Sequence, residues 1–95
     1  MYLYIAIRFT GSLSMQFNHA LTEELNLILK FPSDSLLQGL KIHKDAGDES
    51  LAAMQRLFEK GIVTKEDGGY LTDLGHDLHA RIEVVAQALS SAPTQ

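Results

Sequence analysis

At 95 residues, the chain is long enough for one domain with a modest core and too short for a substrate-binding domain beside a catalytic one. The lack of cysteine excludes disulfides, thiolate metal sites and a cysteine nucleophile, and it is compatible with a reducing compartment, so we expect a cytoplasmic protein. A net charge of -4 and a pI of about 5.4 count against binding of nucleic acid by bulk charge, although an acidic protein can still present a local basic surface.

The first 14 residues, MYLYIAIRFTGSLS, contain an apolar run from Tyr2 to Ile7. The run is shorter than the roughly 20 residues that span a bilayer, and it lacks the basic start and small-residue cleavage site of a signal peptide. Residues 1–14 are therefore either an added edge strand or an extension upstream of a functional chain that begins at Met15. We favour the extension, and we expect no membrane association.

Two helices and a short strand are predicted next. Asn18 is a suitable N-cap for a helix that runs to about Phe31, where Pro32 forbids continuation. The polar segment that starts at Ser33 favours a short second helix through Leu36, Leu37 and Leu40. Alternation of apolar and polar residues predicts a short strand over 40–43.

A third helix is predicted over 49–60, with apolar residues on one face and a mixed, small-centred face opposite. The inward face contains Leu51, Met54, Leu57 and Phe58, and the opposite face contains Glu49, Ala52, Ala53, Arg56, Glu59 and Lys60. We expect the second face to lie in water, where it could enter a groove of DNA.

A β-hairpin is predicted over 62–72, because β-branched and aromatic residues flank the turn sequence Asp67-Gly68-Gly69. Thr72 is then a suitable N-cap for a last helix that runs from Asp73 to about Leu89. Gly75 in its first turn costs helix propensity, so we expect a close backbone approach there. Residues 90–95 should form a flexible tail.

These elements predict an α+β, mostly α fold, with three N-terminal helices, a hairpin and a long C-terminal helix in one domain over 15–89. The last helix carries a stripe of Leu74, Leu78, Ile82, Val85 and Leu89. The stripe is longer than one small core needs, which favours a homodimer through this helix. The alternative is that the stripe packs on the first helix.

No enzyme signature is present in the sequence. There is no Gly-x-Ser-x-Gly elbow, and Gly68-Gly69 lies between two predicted strands and not before a helix, as a phosphate loop would. His76 and His79 stand three residues apart on the last helix, but no third metal ligand is fixed by spacing, so a solvated face is the expected role. We predict no catalytic residue, metal or cofactor.

The pattern of cations favours nucleic-acid binding. Arg56 and Lys60, with Gln55 on the flank, would contact DNA from the third helix, and Lys65 would contact phosphate from the hairpin. Lys41 and Lys44 precede the helix and would add to this surface. Acidic residues lie among these cations, and they favour the alternative that the same surface binds a basic protein partner.

The segment from Gln38 to Asp77 contains the motifs GLKIHKDA, QRLFEKGIVT and DGGYLTDLG. Through these motifs it resembles a family of small uncharacterised bacterial proteins described as DNA-binding. The last two motifs also resemble the end of many winged-helix regulators. The resemblance implies a winged-helix (helix-turn-helix) fold, double-stranded DNA as partner and a role in transcription regulation. The alternative is a protein-interaction winged helix that does not bind DNA.

Overall fold

The fold is α+β and mostly helical, and it was obtained as a computed structural model that describes residues 16–33 and 37–91. Three α-helices and a three-stranded antiparallel sheet make up this part of the chain. In chain order they are α1 (His19–Lys30), β1 (Leu40–Lys41), a 3-10 turn (Lys44–Ala46), α2 (Asp48–Glu59), β2 (Val63–Lys65), β3 (Gly68–Leu71) and α3 (Asp73–Ser90). The strand order in the sheet is β1-β3-β2.

Helix α1 begins where the sequence predicts and ends one residue earlier. The Asn18 side chain accepts a hydrogen bond from the backbone N–H of Leu21 at 2.9 Å, which caps the first turn. Leu27 and Ile28 are buried on the face that meets the rest of the domain. α1 packs chiefly against α2, and this contact organises the helical half of the fold.

The predicted second helix is wrong for the residues that the structure describes. Ser33 and Leu37 lie in turns, Leu40 belongs to a strand, and residues 34–36 lie outside the described residues. The described part of the chain therefore contains two α-helices and a 3-10 turn before the hairpin, where three helices were expected. The predicted strand over 40–43 is confirmed in shorter form as β1.

The hairpin is confirmed, but its turn begins one residue earlier than predicted and consists of Glu66 and Asp67. Gly68 and Gly69 belong to β3, with φ of 127° and 80°. Because Leu40 pairs with Gly69 and Lys41 with Gly68, β1 runs directly beside these glycines, and a Cβ on Gly68 would collide with the Leu40 carbonyl oxygen. These two glycines let a third strand join the sheet.

The junction between the hairpin and α3 is built as predicted. The hydroxyl of Thr72 accepts a hydrogen bond from the Gly75 N–H at 3.1 Å and donates one to the Gly61 carbonyl oxygen at 2.6 Å. A Cβ on Gly75 would collide with the carbonyl oxygen of Ile62, which confirms the close backbone approach. This junction fixes the direction in which α3 leaves the sheet.

The core lies between α1, α2 and the sheet. Phe31, Met54, Leu57 and Val63 are its largest fully buried side chains. Leu78 and Ile82 of α3 pack against its edge and remain partly exposed. No helix within residues 16–33 and 37–91 combines the length and the apolar character that a bilayer crossing needs.

Candidate nucleic-acid interface

The face of α2 that we expected to lie in water is partly covered by α1. Ala53, predicted at the centre of that face, is fully buried. Arg56 donates from Nε to a carboxylate oxygen of Glu24 at 2.7 Å and from a terminal nitrogen to the Ala20 carbonyl oxygen at 3.2 Å. Lys60 Nζ donates to the other Glu24 oxygen at 2.5 Å. The prediction of a free outer face is therefore wrong at these positions.

Glu24 is the residue that changes the electrostatics of α2. Its side chain is 7% exposed and lies between the two cations. Burial acts to raise the pKa of the Glu24 carboxyl, but hydrogen bonds and charge from Lys60 and Arg56 outweigh it and hold the pKa below its usual value. Glu24 is thus ionised at neutral pH and offsets much of the positive charge that α2 would offer to phosphate.

The burial of Glu24 has a signal in the sequence. Its position, three residues before Leu27 and four before Ile28, places it on the buried face of α1. A carboxylate on an apolar face needs a cation, and the neighbouring helix supplies two.

The first turn of α2 is acidic. Asp48 and Glu49 line a hollow together with His19 and Glu23 from α1. The His19 ring nitrogen Nε2 lies 3.0 Å from a Glu49 carboxylate oxygen, and this hydrogen bond raises the pKa of His19. We name the surface of His19, Glu23, Asp48 and Glu49 the acidic hollow.

Gln55, further along the same helix, is exposed and its amide donates to Glu59 at 3.4 Å.

Four lysines and one histidine converge around β1 and the hairpin. Lys41 lines one hollow with Lys65 and Tyr70, a second with His43 and Lys44, and a third with Lys30 and His43. Lys41 of β1 therefore connects basic residues that come from α1, from β2 and from the segment that follows β1. We name the set Lys30, Lys41, His43, Lys44 and Lys65 the wing-edge cluster.

Most of the positive charge of the wing-edge cluster is available to a ligand. Within 16–33 and 37–91, Lys30, Lys44 and Lys65 have no ion-pair partner. Lys41 Nζ lies 3.9 Å from an Asp67 oxygen, and both side chains are exposed, so this pair is weak. Of the six residues predicted to contact DNA, Lys41, Lys44 and Lys65 come together here, while Arg56, Lys60 and Gln55 lie on α2.

His79 is not on a solvated face, as the sequence suggested, but buried. Its Nε2–H donates to the Phe31 carbonyl oxygen at 2.9 Å, because a carbonyl can only accept, and this bond ties α3 to the end of α1. A carboxylate oxygen of Glu83 lies 3.8 Å from Nδ1. His79 therefore has a structural role, which accounts for one of the two histidines at this spacing.

One group of metal-ligand side chains lies in the described part of the chain. The ligand atoms of His19, Glu23 and Glu49 are within 4.8 Å of one another in the acidic hollow. The side chains of His19 and Glu49 are exposed, and the hydrogen bond between them accounts for their proximity. The absence of a metal stays a prediction.

Residues 15–90 match the model of a family of unknown function, DUF5669, and the chain therefore belongs to that family. No curated protein and no solved structure matches the chain. Membership confirms the predicted relation to a small uncharacterised family. The match does not test the DNA-binding and winged-helix parts of that prediction, which stay predictions.

Proposed function

We propose that this member of DUF5669 is a winged-helix protein that binds double-stranded DNA, with Lys41, Lys44 and Lys65 contacting phosphate. The order of elements supports the fold, since a helix, a short strand, a second helix and a hairpin follow one another and the first strand pairs with the last. The observation that carries the proposal is the convergence around β1 and the hairpin of cations from separate elements, most of which have no ion-pair partner among the described residues.

The proposed interface differs from the one that the sequence favoured. Arg56 and Lys60 are bound to Glu24, so they contribute less to phosphate binding than their number suggests. Phosphate contacts would come from the wing-edge cluster instead, and such contacts position a protein without reading sequence. Gln55 is exposed on α2 and carries an amide that can hydrogen-bond an adenine edge, so it is the candidate for base contact.

The proposal predicts weak, salt-sensitive binding. The net charge of -4 gives no long-range attraction, so the local cluster must supply the affinity. Asp67 and Asp45 border the cluster and reduce its potential. We therefore expect binding to a mixed-sequence duplex at low salt that is lost as salt rises.

The test is fluorescence anisotropy of a labelled mixed-sequence duplex, titrated with the protein at low salt. The triple variant Lys41→Ala, Lys44→Ala, Lys65→Ala should bind at least about tenfold more weakly, because three phosphate contacts are lost. Arg81→Ala is the control, since Arg81 is an exposed cation that pairs with Asp77 on α3, outside the cluster. It should bind like the wild type.

Two results would contradict the proposal. The first is no measurable binding of the wild-type protein at low salt. The second is equal affinity of the triple variant and the Arg81→Ala control, which would place the contact elsewhere on the molecule.

The second candidate function is an interaction module for a basic protein segment. It is favoured by the acidic hollow, where three carboxylates line one depression at the N-terminal ends of α1 and α2. A lysine-rich peptide is the probe, and Glu23→Gln with Glu49→Gln should weaken its binding while leaving the duplex titration unchanged. Peptide binding without duplex binding would favour this candidate over the first.

A further inference from the structure

We infer that the outer face of the sheet binds an unpaired nucleobase, with the ring of Tyr70 as the stacking surface. The inference rests on the proposed function in taking nucleic acid as the ligand, and it adds a form of that ligand which duplex binding does not include. Each of the three strands contributes one side chain to the site: Lys41 from β1, Tyr70 from β3 and Lys65 from β2. Because β3 is the central strand, the two cations come from the strands on either side of the ring.

Tyr70 lies on the side of the sheet that faces away from the core. Its neighbour Leu71 is buried in the core, and successive side chains of a strand point to opposite faces of the sheet. Tyr70 is accordingly 43% exposed. An aromatic ring that reaches water beside lysine side chains is the combination that binds single-stranded nucleic acid, since every base presents a flat face for stacking and carries a phosphate on each side.

Two glycines leave room beside the ring. Gly39 and Gly69 line the same hollow as the three side chains, and this hollow has a volume of about 330 Å³. A Cβ on Gly39 would lie 3.3 Å from Tyr70 Cε1, and a Cβ on Gly69 would lie 3.2 Å from Lys65 Cγ, so side chains at these positions would crowd the ring and the lysine stem. The volume falls at the lower end of the range of about 300–1,000 Å³ for small-ligand sites, which suits a single nucleotide.

The charge of the hollow makes the ring necessary for affinity. Two lysines and Asp67 line it, which leaves an excess of one positive charge. An Asp67 oxygen lies 3.9 Å from Lys41 Nζ and both side chains are exposed, so Asp67 weakens the attraction of phosphate to this side of the site. Stacking on Tyr70 adds affinity that depends neither on charge nor on the identity of the base.

The ligand must offer a base that is free to leave the helical stack. Bases within a duplex are stacked on their neighbours and paired, so a ring on a protein surface reaches them only after extrusion, which costs free energy. An unpaired base in an overhang or a single strand avoids most of this cost. The wing-edge cluster would therefore hold the backbone of a duplex, while Tyr70 holds a base of an adjoining unpaired segment.

Three matched DNA probes test the inference: a blunt duplex, the same duplex with a short thymine overhang, and the same overhang without its bases. The abasic overhang keeps every phosphate, so it separates stacking from charge. By fluorescence anisotropy at low salt, we expect the thymine overhang to bind the wild-type protein about tenfold more tightly than the abasic one. An RNA overhang of the same length shows which kind of strand supplies the base, and base-dependent binding of either strand supports the inference.

Variants of Tyr70 assign the preference to the ring. Tyr70→Leu should remove the preference for the base-bearing overhang and leave the affinity for the blunt duplex unchanged, because Lys41 and Lys65 remain. Tyr70→Phe keeps an aromatic ring and should keep the preference. Phe17→Leu is the control, since Phe17 is an exposed ring outside the sheet, in a groove with residues of α3, and this variant should bind like the wild type.

The outcomes separate the stacking site from duplex binding. Equal affinity of the wild type for the thymine and abasic overhangs overturns the inference, as does a folded Tyr70→Leu variant that keeps the preference. If the blunt duplex is bound in either case, the proposed function stands and only the stacking site is rejected. Base-dependent binding of the overhang without binding of the blunt duplex would reject duplex binding and support the Tyr70 site. Circular dichroism checks that the variants are folded, and the comparison of overhangs on the wild type decides if Tyr70→Leu is not.

Discussion

Glu24 determines how much positive charge α2 can offer to a ligand. The carboxylate accepts from both Arg56 and Lys60 across the contact of α1 with α2. A charged hydrogen bond of this kind contributes more than a neutral one, and each cation is partly shielded from water by the packing of the two helices. The residue therefore links the stability of the helical pair to the surface charge of α2.

Replacement of Glu24 by Gln should destabilise the protein by about 1–3 kcal/mol at neutral pH, because two charge-assisted hydrogen bonds are lost and two cations remain beside α1. Urea unfolding followed by circular dichroism measures the loss. Glu23→Gln, which makes the same charge change one residue away, is the control and should change the free energy of unfolding much less. Equal losses of unfolding free energy in the two variants would show that the ion pairs of Glu24 do not contribute to stability.

The same carboxyl predicts a pH dependence of stability. The folded pKa of Glu24 lies below its usual value of 4.5, so its contribution is complete above that pH and is lost as the pH falls through the folded pKa. The free energy of unfolding of the wild type should therefore decline more steeply with acidification below about pH 4.5 than that of Glu24→Gln. Parallel pH profiles for the two proteins would contradict this assignment.

Glu24 and His79 show why single residues were harder to place than elements. Both are polar residues on the core side of amphipathic helices, where a polar side chain is not expected to be buried without a partner. Each is buried because a partner distant in sequence satisfies it: the cations of α2 for Glu24, and the Phe31 carbonyl oxygen for His79. Helical spacing could locate these side chains, but it could not reveal their partners.

Local signals predicted the hairpin and the helix that follows it, since turn residues, a cap and a strand pattern all act within a few positions. The pairing of β1 could not be predicted from the sequence, because Leu40 and Gly69 lie far apart in the chain. The glycines predicted as the turn were needed for that pairing, and the turn formed at Glu66 and Asp67 instead. Nonlocal contact thus decided the details that local propensity left open.

The junction of the hairpin with α3 gives a prediction at the level of elements. Gly75→Ala should gain about 1 kcal/mol of helix propensity but lose more through overpacking, since the new methyl group would meet Ile62 and the Leu71 side chain. We expect a net loss of about 1–2 kcal/mol, measured by thermal unfolding. Gln87→Ala, at an exposed position of the same helix, should be neutral or slightly stabilising. Stabilisation by Gly75→Ala would show that the approach of the hairpin is looser than described.

At the level of the whole molecule, three surfaces of different chemistry are separated. The wing-edge cluster is basic, the acidic hollow lies at the ends of α1 and α2, and a groove lined by Phe17, Leu25, Ile82 and Val85 is largely apolar. Separation lets an acidic protein keep one basic surface, because some carboxylates pair with cations elsewhere, as Glu24 does, and others lie in the acidic hollow, while Asp45 and Asp67 border the cluster. The net charge of the chain therefore says little about what each surface binds.

The salt dependence of DNA binding would show which of these cations contact phosphate. Each contact contributes about -0.9 to the slope of log affinity against log salt, so Lys41, Lys44 and Lys65 together predict a slope of about -3 for one protomer. Lys44→Ala should make the slope shallower by about 1, whereas Arg81→Ala should leave it unchanged. A slope that responds to Lys60→Ala and not to Lys44→Ala would return the contact to α2, because phosphate would then have displaced Glu24 from its cations.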